Sequence, residues 1–291
     1  MLEVILTVST AYLFKRWGVF TEEHARVLVN YVLYFALPLL SFKIAHGLGL
    51  SREVLLVGAG AWLVILCSLL LAFFLGRLLR LNPKDLKTLV VISAFGNTAF
   101  LGYPYSFAYY GQQGLEYAII YDNVGSFLAV SSVGFLILSG RLDLRGLFLF
   151  PPFLGLVMGF ALRGYALPEQ VWKFVDFSAA SLLPVVLFSL GISLNFAFVL
   201  KEKRLLAFAV CTKMFLVPSL AVLLLMPLPL EPVAYKVSVL ESSMPTMVTA
   251  SALVLKYGLN HHLAFASSGL GVVVSFFSVP LWVFMLERLG V

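Results

Sequence analysis

The chain has 291 residues, 61% of them hydrophobic and 12% charged, with a net charge of +6. Soluble domains run about 45–50% apolar, so this composition excludes an ordinary soluble domain and points to a membrane protein. The charges cluster between apolar runs, so the positive balance is read as basic loops at a membrane and no nucleic-acid partner is expected.

At the N-terminus Met1-Leu2-Glu3 lacks a basic region and no small-residue cleavage site follows, so no cleavable signal is expected. Ten apolar segments follow in order, each read as a helix crossing about 30 Å of hydrocarbon. They cover residues 2–17, 27–44, 54–75, 86–110, 115–138, 147–162, 174–194, 205–225, 233–255 and 263–286. No long polar loop separates them, so a single membrane domain is expected over 1–291. Cys67 and Cys211 fall inside apolar segments and read as small core residues, neither disulfide nor metal ligands.

The basic residues predict an orientation. The loops after the odd-numbered segments hold Lys15, Arg16, Arg26, Arg77, Arg80, Lys84, Lys87, Arg141, Arg145, Lys201, Lys203, Arg204 and Lys256, which is 13 of the 20. The other side holds Lys43, Arg52, Arg163, Lys173 and Arg288. This bias places the first set in the cytoplasm and both termini outside, in a multi-pass protein of the cell (inner) membrane.

The two halves resemble each other. "LPLLSF" at Leu37 returns as "LPVVLF" at Leu183, and Tyr110-Gly111 returns as Tyr257-Gly258, offsets of 146 and 147. Five segments per half is an odd number, so the second half enters from the opposite face. The expected fold is therefore all-α, with ten transmembrane helices as two inverted five-helix repeats over about 1–140 and about 146–291.

Two segments are interrupted where a spanning helix should be regular. In the fourth, Gly96, Asn97, Thr98, Gly102 and Pro104 fall within nine residues. In the ninth, Glu241-Ser-Ser-Met-Pro245-Thr246 places two serines, one of them Ser243, beside a proline. Interior proline costs a helix about 3 kcal/mol and glycine about 1. Backbone groups freed by a break cannot face lipid, but they can face protein or a water-filled cavity. Two breaks at matching places can meet and present helix N-termini to an anion and carbonyl ends to a cation.

At these residues the chain resembles the auxin efflux carrier family, which includes the plant PIN-type exporters and many prokaryotic relatives. "GNTAFLGYP" is similar to the family's fourth-span signature, and "MP" followed by "KYG" is similar to its ninth-span counterpart. The resemblance covers essentially the whole chain. The plant motif has proline before the Asn, where this chain has Gly96, and only Ser139 to Gly146 stand where many plant members carry a long cytoplasmic loop. The resemblance implies a scaffold of spans one, two, six and seven and a transport domain of three to five and eight to ten. Within the latter, spans four and nine cross and the domain moves as an elevator. It also implies that Asn97 contacts a substrate carboxylate.

Ionisable residues inside apolar segments cost about 2.5–3.5 kcal/mol each on insertion scales and need an account. Glu241 lies about 15 Å along its helix from Glu231, one turn before Pro245, and is read as a proton carrier or cation ligand. Lys213 is read as a counter-ion for Glu241 or Asp122, or as a fixed charge for an anion. Asp122, about 12 Å into the fifth segment, is read as facing the crossing. Lys236 is expected to snorkel, Asp176 to be interfacial, and His46, His261 and His262 to lie in loops with no metal-ligand spacing. The serines of segments five and ten, among them Ser126, Ser267 and Ser275, are read as packing residues.

The sequence therefore reads as a secondary active, efflux-type carrier of a small organic anion, with no cofactor and with coupling to a proton or to sodium left open. The anion residues are Gly96, Asn97, Thr98, Pro104, Ser243, Pro245 and Thr246; the coupling residues are Glu241, Lys213 and Asp122. A sodium-coupled carrier of the bile-acid type and a non-transporting receptor are the alternatives, and a homodimer is compatible with either. An intramembrane enzyme is not expected, because Asp122 and Asp176 lack the surroundings of an aspartyl protease pair or of a magnesium-binding Asp-rich motif.

Overall fold

A computed structural model of the chain describes residues 2–48, 51–140, 150–194 and 203–289. Arg141, Arg145 and Lys201, used above for orientation, lie outside the described residues, as do the boundary of the proposed halves and the start of the sixth segment. Among the described residues every element is helical, and each predicted apolar segment coincides with helix.

In chain order the helices are α1 (Leu2–Arg16), α2 (Glu22–Leu48), α3 (Arg52–Leu78), α4 (Pro83–Ala94), α5 (Thr98–Ser139), α6 (Pro151–Ala161), α7 (Glu169–Ser193), α8 (Lys203–Leu225), α9 (Pro232–Ser242), α10 (Val248–Lys256) and α11 (His261–Arg288). Six of them, α2, α3, α5, α7, α8 and α11, are long and apolar enough to cross a membrane. The predicted fourth and ninth segments are each split in two, as α4 with the start of α5 and as α9 with α10. Prolines open several of these helices. Pro83 follows Asn82, whose side chain accepts from the backbone N–H groups of Lys84 and Asp85 at 3.0 Å, so the first turn of α4 is capped before it enters apolar surroundings.

Gly111 bends α5 with φ 62° and ψ −151°, a conformation open mainly to glycine. No loop intervenes, so the predicted gap between the fourth and fifth segments is a sharp turn within one helical stretch. Gly258, its counterpart 147 residues on, ends α10 with φ 66°. Wider π turns occur at Val32–Ala36, Thr98–Gly102, Tyr121–Phe127, Val130–Gly134 and Thr212–Leu216. Such turns expose carbonyls that an α-helix would use. Two of these carbonyls are taken by tryptophans: Trp62 Nε1 donates to Val124 O and Trp282 Nε1 to Met214 O, both at 2.9 Å.

The chain forms two compact units, Met1–Leu55 with Leu144–Leu194 and Leu56–Asp143 with Asn195–Val291. In the first, Leu37–Leu48 of α2 lies along α6, and α1 lies along Leu182–Ser193 of α7. Polar contacts tie the helices of this unit together. Lys15 Nζ donates to Leu194 O at 2.9 Å, and the half-exposed Lys43 and Asp176 pair at 2.6 Å. Asp176, expected at the interface, has a specific partner in Lys43. His46 closes α2 and His261 and His262 open α11, so these histidines are helical and not in loops.

The second unit holds the larger core, in which Leu89, Val91, Ile92 and Phe95 are buried with Met214, Val254 and Ala264. In lipid, apolar contact brings no net gain over chain–lipid contact, so close packing and hydrogen bonds supply the cohesion. The serines supply much of it. Ser275 bonds Tyr105 at 3.1 Å, Ser268 bonds Ser251 at 2.8 Å and Ser267 bonds Thr246 at 2.8 Å. Beside the close packing expected of small residues, these three hydroxyls link helices. Lys236 has a specific partner. Its ammonium pairs with the half-exposed Glu287 at 3.1 Å.

Candidate functional site

The two breaks face each other inside the second unit. After α4 the chain turns extended at Phe95 (φ −99°, ψ 111°), and α5 starts at Thr98. After α9 it passes Ser243 and becomes extended again at Met247. Here Gly96 and Thr246 form an antiparallel backbone pairing. Asn97 N–H donates to Pro245 O at 2.7 Å, and Met247 N–H donates to Phe95 O at 3.0 Å. The Thr246 hydroxyl donates to Ile92 O at 2.9 Å, which leaves Ser267 as the donor to Thr246. Each break thus satisfies backbone groups that the other frees, the condition for irregular backbone at membrane depth.

Three buried ionisable side chains surround this pairing. Asp122, on the π turn Tyr121–Phe127, receives a hydrogen bond from the Thr98 hydroxyl on one oxygen and from Tyr103 on the other, the latter at 2.5 Å. Glu241, in the last turn of α9, accepts from the Ser106 hydroxyl at 2.9 Å through Oε1, while its buried Oε2 has no hydrogen-bond partner. Lys213, on the π turn Thr212–Leu216, is 1% exposed. Its Nζ donates at 2.5 Å to the carbonyl of Ser242, the final residue of α9. None of the ion pairs among the described residues involves Lys213, Glu241 or Asp122. Lys213 thus makes no contact ion pair with either carboxylate, although it shares one cavity with Glu241. A helix end with unsatisfied carbonyls is a partial negative charge, and the ammonium is placed against that instead.

Gly96, Thr98, Glu241, Lys213 and Ser242 line one small cavity, together with Tyr121 and Ser126 from α5, Ala94 from α4, Val64 and Ile65 from α3, and Val217 from α8. It offers about 10 Å³ of space to the centre of a water, room for about one molecule. Gly102 makes the approach of α9 to α5 possible: a Cβ there would overlap the Glu241 carboxylate.

The structure thus brings Gly96, Thr98, Glu241 and Lys213 to one cavity and joins Asp122 to it through Thr98. Asn97, Ser243, Pro245 and Thr246 stand at the break itself but do not line that cavity. Asn97 is 3% exposed, and its side-chain amide does not cap the helix it precedes. The Ser243 hydroxyl turns back to Leu240 O at 2.7 Å, and Pro104 is buried in the first turn after the π segment Thr98–Gly102. Three participants were missed in the sequence, Tyr103, Ser106 and Ser242, while Gly102 was read as a helix breaker and not as the space for Glu241. Tyr103 and Ser106 stand three apart on a helix, and a polar pair at that spacing in an apolar run was the available signal.

Comparison with known proteins sets the chain among membrane transport proteins. A family described as membrane transport protein matches residues 1–141 and 136–283. An uncharacterised transporter of Methanothermobacter thermautotrophicus is 28% identical over 291 aligned residues, covering 97% of this chain and 96% of the relative. An uncharacterised transporter of Methanocaldococcus jannaschii is also 28% identical, over 303 aligned positions with the same coverage.

Proposed function

The chain belongs to the auxin efflux carrier family of membrane transport proteins, and from that premise we propose that it is a secondary transporter of a small organic anion, a carboxylate, bound at the paired breaks. One observation carries this reading: the backbone pairing between Gly96 and Thr246, deep in an apolar helical unit and ringed by buried polar side chains. A packing kink needs no second break opposite it. A binding site does, because two broken helices offer both an N-terminus and a carbonyl end at one place. The N-terminus of α5 at Thr98 and the Asn97 amide supply donors to a carboxylate, and Glu241 carries the coupling proton.

The proposed topology has ten spans in inverted halves, with both termini outside the cell membrane. The offsets of 146 and 147 and the positive φ at both Gly111 and Gly258 support it. The first compact unit corresponds to a scaffold of spans one, two, six and seven. The second corresponds to a transport domain that carries the site, and its movement as a body provides alternating access. Orientation has a direct test. With Cys67 and Cys211 replaced by alanine, a single cysteine at Gln112 should react with an impermeant reagent on intact cells, and one at Lys84 should react only after lysis. The opposite pattern would invert the topology.

The function itself is tested by a thermal-shift screen of carboxylates on the purified protein, followed by flux of the hits in liposomes. The expected result is saturable movement of at least one carboxylate. Binding without movement would show a receptor and overturn the transport reading.

A further inference from the structure

We propose that the Lys213 ammonium is a built-in cation at the carbonyl end of the broken helix Pro232–Ser242, standing where a cation-coupled carrier would need a bound sodium ion. The inference rests on the transporter reading for its meaning, but its geometry stands on its own.

Three observations carry it. First, the ammonium lies 2.5 Å from Ser242 O at the end of α9, where the carbonyls beyond the last turn have no helical partner. That is where a broken membrane helix receives a monovalent cation. Second, the surroundings are shaped around the charge. A Cβ at Gly96 would lie 3.1 Å from Nζ, tighter than an ordinary carbon contact, so glycine at this position leaves the ammonium its room. The π turn Thr212–Leu216 that presents Lys213 is held by Trp282 at Met214 O. Third, the cavity beside the ammonium already has a hard-cation character. Thr98, Ser126, Ser242 and Glu241, all oxygen-bearing residues, are among those that line it, and Glu241 Oε2 is buried without a hydrogen-bond partner. Hard cations are held by oxygens of this kind. Its free space admits about one water, so a sodium ion placed there would stand directly against the like charge of the Lys213 ammonium.

Replacing Lys213 by alanine removes Cγ, Cδ, Cε and Nζ and joins their space to the cavity. The carbonyl end of α9 and the Glu241 carboxylate then face a vacancy of cation size. The chain is expected to convert from a protein that ignores sodium to one that binds it.

The test uses full-length protein in detergent, melted in choline chloride and in sodium chloride at equal ionic strength. Wild type should melt at the same temperature in both. Lys213→Ala should melt lower in choline and recover several degrees with added sodium or methylammonium, the shift rising with the logarithm of cation concentration as for any ligand of the folded state. Lys213→Met, which refills the space without charge, should show no such recovery. A saturable sodium-induced rise in wild type would overturn the proposal even if neither variant folds. A folded Lys213→Ala that responds to no cation would overturn it too. Because no carboxylate is present, these outcomes are independent of whether the protein moves carboxylates.

Discussion

Asn97→Ala is expected to weaken carboxylate binding by about 1.5–3 kcal/mol, roughly 10- to 150-fold, while leaving the melting temperature close to that of wild type. The two halves of this expectation have separate origins. The structural work of residue 97 is done by its backbone: its N–H donates to Pro245 O, and its carbonyl accepts from Leu101 and Gly102. Alanine keeps all three bonds. The side-chain amide does not cap α5, so its removal opens no gap in the break. What is lost is a donor to a charged ligand, and a hydrogen bond to an ionised group is worth about that amount. Asn97→Asp should bind more weakly still, because it sets a like charge against the anion with no donor to offset it. The measurement is titration of the best carboxylate from the thermal-shift screen against the wild type and both variants. Unchanged affinity in a folded Asn97→Ala would remove Asn97 from the site.

Glu241→Gln is expected to abolish net anion movement driven by a pH gradient while exchange of labelled for unlabelled anion continues. Gln has nearly the same volume, and its carbonyl can still accept from the Ser106 hydroxyl as Glu241 Oε1 does at 2.9 Å. Gly102 leaves the space that either side chain needs. The fold should therefore persist, but the position can no longer gain or lose a proton. A carrier that returns only with this site protonated then runs as an exchanger. Reconstituted vesicles with an imposed pH gradient read the first activity, and counterflow reads the second. Full gradient-driven transport by Glu241→Gln would rule out Glu241 as the coupling group. A large loss of melting temperature that neutralising Lys213 restores would instead mark a structural charge pair, against the geometry in which Lys213 meets a carbonyl.

The sequence by itself located the helices and the places where they fail. Hydropathy and the distribution of charge predicted segments such as 54–75 and 205–225, and the helices found there are Arg52–Leu78 and Lys203–Leu225. Glycine, proline and clustered hydroxyl residues marked both breaks, because the cost they impose on a helix is local and can be read residue by residue. The buried charges were also legible, since an ionisable group in an apolar run stands out whatever it touches. Their partners were not. Ser106 reaches Glu241 across 135 positions of sequence, Lys213 reaches Ser242 across 29, and Gly102 must lack a side chain because of a carboxylate on another helix. Helical periodicity says which residues share a face but not which face will oppose it. Lys213 had two carboxylates as plausible partners in the sequence and took neither. Only the tertiary structure brought a helix end to it, and the partial charge of unsatisfied carbonyls at such an end appears in no side chain and in no composition.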